Sequence, residues 1–130
     1  MIRPTALALL LLAPAAAVQA QQTIPPALAL EWTLAEVDGH PVGYSATISV
    51  DAEGRINGRA PCNRYFASFT GTLPEFRPEA MGSTRMACDA MADEAAYFTL
   101  LQGVDRLTAS DRELHLSGAG HSLIFRRPQA

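Results

Sequence analysis

From Leu30 onward this chain is written mostly in short runs of apolar–polar alternation, broken once by a stretch with helical spacing. A side-chain period of two puts alternate residues on opposite faces of a strand, so such a chain folds as a sheet with one dry and one wet face. Ala46, Ile48 and Val50 alternate with Thr47 and Ser49, and Asp51-Ala52-Glu53-Gly54 follows as a tight connection. This predicts a hairpin of residues 46–50 with 55–60. Trp32, Leu34 and Glu36 are expected on one face, before a turn at Asp38-Gly39. Tyr65, Ala67 and Phe69 should share a face opposite Phe66 and Ser68. Leu73 to Phe76 and the segment around Met81 read as further short strands, with Pro74 and Pro78 confining parts of them to edges or irregular stretches. Near the end, Leu114 and Leu116 alternate with Glu113, His115 and Ser117, and Leu123 and Phe125 with Ser122, Ile124 and Arg126.

The interruption is a helix. Met91, Ala95, Phe98 and Leu101 recur at spacings of four, three and three, one stripe of a helix over roughly 90–102, expected to pack on the sheet. Asp89 is placed to cap its start, Asp93 and Glu94 sit where the helix dipole favours anions, and Gly103 suits the stop. The fold class that follows is mainly β with one α-helix: an antiparallel rolled sheet or small barrel packed with that helix.

The first twenty residues read as an export leader: Arg3, an apolar run from Ala6 to Leu12, then Ala15-Ala16-Ala17-Val18-Gln19-Ala20 with cleavage after Ala20. The apolar run is too short for a hydrocarbon core of about 30 Å, so no stable membrane anchor is expected after cleavage. A periplasmic or secreted location follows. Removal of the leader leaves 110 of the 130 residues, one domain's worth. Residues 21–29, with Pro25-Pro26, read as a flexible lead-in unless they pair with something, and 30–127 as the domain. The full chain has ten basic residues, all arginine, against thirteen acids, a formal net charge of −3. That balance, without a basic cluster in the sequence, argues against a nucleic-acid partner.

An exported chain with a lone pair of cysteines, Cys62 and Cys88, is expected to form a disulfide or a buried touching pair. A reactive thiol is the alternative, disfavoured because there is no Cys-x-x-Cys spacing and no histidine nearby in sequence. The segments around these cysteines also carry a resemblance. Trp32 and Leu34 lead to Gly39, a strand ends in Gly58, and Cys62-Asn63 is followed by Tyr65. Thr84-Arg85-Met86-Ala87-Cys88 precedes a helix with Met91, Glu94, Phe98 and Leu101, and a late Leu114-x-Leu116 strand follows. In these features the chain resembles the META domain family, which includes the heat-shock protein HslJ. Two departures stand out: Pro61 occupies a position that is usually glycine, and the lipid-accepting cysteine of lipoprotein members is missing. The resemblance implies a lipocalin-like β-rich domain and a role in envelope stress, heat response or drug tolerance. It implies no established reaction.

The candidate polar residues are Asn63, Arg64, Thr84, Arg85 and Glu94. Asn63 suits a left-handed turn, and Arg85 could pair with Glu94 to pin the helix; alternatively the set rims a docking surface. His40, His115 and His121 lack metal-ligand spacing, so neither metal nor cofactor is expected. His115 should face solvent, and His121 should sit in a glycine turn. Two loops, Ser68 to Gly71 and Asp38 to Tyr44, are the places where an inhibitor could protrude. The function expected is non-enzymatic binding of a protein, an envelope component or a small amphiphile. The alternative is a small periplasmic thiol enzyme or redox factor using Cys62 or Cys88.

Overall fold

The computed structural model describes residues 22–127, with residues 2, 4–6, 8, 10 and 11 of the N-terminal stretch. The expected cleavage point and much of the leader lie outside the described residues. Among the described residues, nine antiparallel strands form one sheet. They are β1 (Trp32–Val37), β2 (His40–Pro41), β3 (Thr47–Val50), β4 (Arg55–Arg59), β5 (Arg64–Thr70), β6 (Arg77–Ser83), β7 (Arg106–Ala109), β8 (Glu113–Gly118) and β9 (His121–Arg126). Their order is β6-β5-β4-β3-β1-β9-β8-β7, with β2 paired on β1 alone. The helix α1 (Met91–Gly103) packs against β6.

The sheet rolls but its ladder of strands is not closed. Its two ends approach through a single bridge, Glu75 to Arg106. Phe76 N–H donates to the Asp105 carbonyl at 3.0 Å, and Leu107 N–H to the Pro74 carbonyl at 2.9 Å. The expected strand over Leu73–Phe76 is therefore a turn, followed by this bridge, and pairing with β5 begins only at Arg77. Pro78 lies on β6, at one end of the strand order, where a missing N–H is tolerated.

The dry face is the one the alternation marks: Trp32, Leu34, Ile48, Val50, Ile56, Tyr65, Ala67, Leu114, Leu116, Leu123 and Phe125 are all buried. His115 is exposed, as expected for a residue between two inward leucines. Glu36 departs from the pattern. The β1–β9 register shifts between Leu34 and Glu36, so Glu36 lies opposite Ile124 while Val37 takes the place opposite Leu123. One extra residue in the strand reverses the faces beyond it. Glu36 consequently meets Arg126 across the strands at 2.9 Å on the wet side.

The lead-in does pair with something. Ile24 and Leu28 are buried, residues Pro26–Ala29 form a 3-10 turn, and the Trp32 indole N–H donates to the Ala27 carbonyl at 3.0 Å. The Gln22 side chain bonds the Gly71 carbonyl and the Leu73 N–H.

The two loops where an inhibitor could protrude are partly strand. Ser68–Thr70 belong to β5. Of the other, His40–Pro41 pair with β1, and Val42 N–H donates to the Ala35 carbonyl. Asp38 is tied down by Ser122 N–H at 2.9 Å and His121 Nδ1 at 2.7 Å. These bonds hold the Asp38 carboxyl below its ordinary pKa. His121 thus opens β9 rather than sitting in the turn before it.

Candidate functional site

Strand β5 begins at a polar junction that joins three parts of the chain. Asn63, 4% exposed, uses the whole capacity of its amide. Its Nδ2 donates to Glu94 Oε2 at 2.7 Å and to the Met86 carbonyl at 3.0 Å. Its Oδ1 accepts from Met86 N–H at 2.6 Å and from the Thr84 hydroxyl at 3.0 Å. Two donors and two acceptors are all that an asparagine side chain has. Because Met86 N–H can only donate, the orientation of the amide is settled. Thr84 completes the ladder: its hydroxyl accepts from Arg64 N–H, and its own N–H donates to the Arg64 carbonyl.

Glu94 is buried on α1 at 3% exposure, where burial alone raises a carboxyl pKa. The Asn63 side chain, Asn63 N–H at 2.7 Å and Cys62 N–H at 3.0 Å all donate to it. Those donors outweigh the burial and hold its pKa below the ordinary value. The expected Arg85–Glu94 pair is absent, because neutral N–H groups already fill the carboxylate. Asn63 does not adopt the expected left-handed turn; Asp38, Ala80 and Ala119 are the described non-glycine residues with positive φ. Cys62 and Cys88 form a disulfide with Cα atoms 6.0 Å apart, tying the same two segments covalently. Cys88 is exposed rather than buried.

The helix is turned relative to its expected stripe. Its buried residues are Glu94, Tyr97 and Leu101, while Met91 and Ala95 are exposed and Phe98 is half-buried. Ala90, not Asp89, stands at its N-terminus, without a side-chain cap. Gly103 is its last residue. Tyr97 sets the rotation. Its hydroxyl meets that of Tyr65 at 2.8 Å, and Tyr65 itself donates to the Thr47 carbonyl at 2.7 Å. Tyr65 has one proton, so Tyr97 is the donor between them. Burial pushes both phenols above their ordinary pKa. Gly58 makes room for this pair, since a Cβ there would lie 2.6 Å from the Tyr65 hydroxyl.

With its polar and aromatic face buried, α1 leaves Met91, Ala95 and Phe98 beside the Ser83–Ala87 segment. Together they line a groove of about 420 Å³, with Asn63 and Glu94 also on its wall. Met86 is 67% exposed and Met91 43%. Arg85 also lines it, with no ion-pair partner among the described residues. The sequence reading found the polar residues of this site but assigned its apolar half to sheet packing. The 94-97-101 spacing, with a tyrosine between a glutamate and a leucine, was the signal available. Among the described residues no three His, Cys, Asp or Glu side chains converge as a metal site would require. No helix among them is long and apolar enough to cross a membrane.

The family profile of the META domain matches residues 26–130. No curated protein is significantly similar to the chain. A protein from Burkholderia xenovorans, solved by NMR, shares 25% identity at a TM-score of 0.62, over 91% of this chain and 98% of that one. A DUF4847 family protein from Bacteroides vulgatus, 9% identical with a TM-score of 0.61, covers 79% of this chain and 95% of its own, which shows the fold alone. A rolled antiparallel sheet, one helix pinned at the Cys62-Asn63 corner, and a match over most of its length agree: this chain belongs to the META domain family.

Proposed function

We propose that this is an exported, non-enzymatic binding protein that holds an anionic amphiphile of the cell envelope in the groove between α1 and the Ser83–Ala87 segment. The groove carries the reading. Its apolar wall consists of flexible methionines and Phe98, side chains that adapt to an acyl chain without a fixed shape. Arg85 offers a permanent cation to an acidic head. The polar groups that could do chemistry nearby are spent on each other: Asn63 and Glu94 on the junction, and Cys62 and Cys88 in the disulfide. That favours binding over a thiol-dependent reaction. A role in envelope stress, heat response or drug tolerance fits a protein that sequesters or senses such a molecule in the periplasm.

The test is a fluorescence titration with dansyl-undecanoate. Saturable enhancement is expected, lost in Ala95→Trp, which fills the groove from an exposed helix position, and weakened in Arg85→Gln. Equal binding by wild type and Ala95→Trp, with both melting at the same temperature, would remove the groove from the account. Activity toward a disulfide substrate that disappears in Cys62→Ser, with the fold intact, would favour the thiol reading.

A further inference from the structure

On the outer face of β3–β6, away from the core, lies a surface unlike the rest of this acidic chain. The register places Arg55 opposite Ser68, Asn57 opposite Phe66, and Arg59 opposite Arg64. Beyond them, Gly82 lies opposite Phe66 and Arg77 opposite Thr70. Directly opposed residues share a face, and their neighbours Ile56, Tyr65 and Ala67 are the buried ones, so this set points outward. The face carries four arginines, Arg55, Arg59, Arg64 and Arg77, against the single carboxylate of Glu79, in a chain of net charge −3. None of the four makes an ion pair among the described residues.

Phe66 sits among them, 53% exposed. Arg55 and Arg59 are its diagonal neighbours across β4, and Arg64 is two residues away on its own strand. Its ring leans over Gly82, where a Cβ would lie 2.5–2.7 Å from ring atoms. The ring thus occupies the space over Gly82 that a side chain would fill, and its exposed part is open to a ligand. Arg59 and Arg64 stand directly opposite each other, an arrangement of like charges that costs stability. Such a cost is expected where the cations serve something outside the chain.

From this juxtaposition we infer that the outer β4–β5 face binds a saccharide phosphorylated at both ends, its ring stacked on Phe66 and its phosphates held by Arg55 on one side and by Arg59 with Arg64 on the other. Arg55 and Arg59 are four residues apart on one strand, about 13 Å at the usual rise. That separation suits two anionic groups flanking one or two sugar rings. Guanidinium forks grip phosphate oxygens in pairs, and an aromatic face takes the C–H face of a sugar. A long nucleic-acid strand fits less well, since its charge would run past the patch onto an acidic surface. A membrane surface also fits less well, because the ring lies along the sheet instead of projecting from it. None of these side chains lines the groove, although Arg64 adjoins its Thr84 wall through the backbone, so failure here would leave the groove reading untouched.

The test is calorimetric titration of the whole protein with a glucosamine disaccharide phosphorylated at both ends. The same disaccharide without phosphates, inorganic phosphate and a ten-nucleotide oligothymidylate serve as comparisons. The bisphosphorylated sugar should bind tightest, and Arg64→Thr should weaken it on the order of tenfold or more. Phe66→Leu should weaken it while keeping the salt dependence. The same Arg64→Thr substitution should raise the melting temperature by about 1–4 °C by removing the opposition to Arg59. Binding that ignores the phosphates or prefers oligothymidylate would overturn the inference. So would equal affinity for inorganic phosphate, or an Arg64→Thr protein that is less stable with unchanged affinity.

Discussion

Asn63 and Glu94 show how a motif that looks chemical can be spent on structure. A buried amide with all four bonds made leaves no tolerance for change. Asn63→Asp exchanges two donors for a second carboxylate facing Glu94, and should cost about 3–5 kcal/mol in urea unfolding. Glu94→Gln keeps the shape but sets an amide N–H₂ against N–H donors, a loss of about 1–3 kcal/mol. The two differ in their pH dependence. The folded Glu94 pKa is depressed, so its stabilisation is complete above the unfolded value of about 4.3 and fades as pH falls through the folded one. Wild type should therefore lose stability on acidification along a limb that flattens in Glu94→Gln. A second ordered pair of outcomes concerns the tyrosines. Tyr65→Phe strands both the Thr47 carbonyl and the Tyr97 hydroxyl, whereas Tyr97→Phe removes only a donor. The first should cost more than the second, by about 1 kcal/mol in denaturant unfolding. At this scale the sequence named the right residues and the wrong partners. Arg85 and Glu94 are complementary in charge and easily matched on paper, while backbone N–H donors are invisible there.

Among the elements, alternation was legible wherever a strand was regular and failed where an extra residue entered it. Nothing in Leu34-Ala35-Glu36 announces the bulge that carries Glu36 to the wet side, because register belongs to the partner strand. The helix was legible in extent but not in rotation: a small apolar stripe lost to one glutamate and one tyrosine with buried partners. The Ser83–Ala87 wall has regular structure only at Ser83, and hydrogen bonds to Asn63 and Arg64 and the Cys62–Cys88 bridge hold the rest. Closing that loop is worth roughly 3–4 kcal/mol on the chain-entropy account. Cys88→Ser should lose about that much stability and speed amide exchange over residues 84–90. Alkylation followed by mass measurement of the purified protein checks the bridge itself. No alkylation and a mass two units below the reduced value are expected; two free thiols would contradict it.

For the whole molecule, the rolled sheet and single helix follow from alternation, but the closure of the roll at Glu75–Arg106 does not, since a one-residue bridge leaves no periodic trace. The partner of the lead-in was illegible for a related reason. Ile24 and Leu28 are isolated among prolines and alanines, and their burial depends on β3 and the turns at Gly54 and Gly71, which come together only in the folded chain. Deleting residues 22–29 removes two buried side chains and should cost about 3–6 kcal/mol by thermal unfolding. What the assembled molecule offers is a stiff, self-satisfied polar corner beside a soft apolar groove, and binding in that groove is the central claim. The most direct measurement is a two-dimensional amide NMR titration with dodecanoate. The account predicts saturable shifts concentrated at residues 83–98. Shifts absent there, or centred on the opposite end of the sheet, would contradict it.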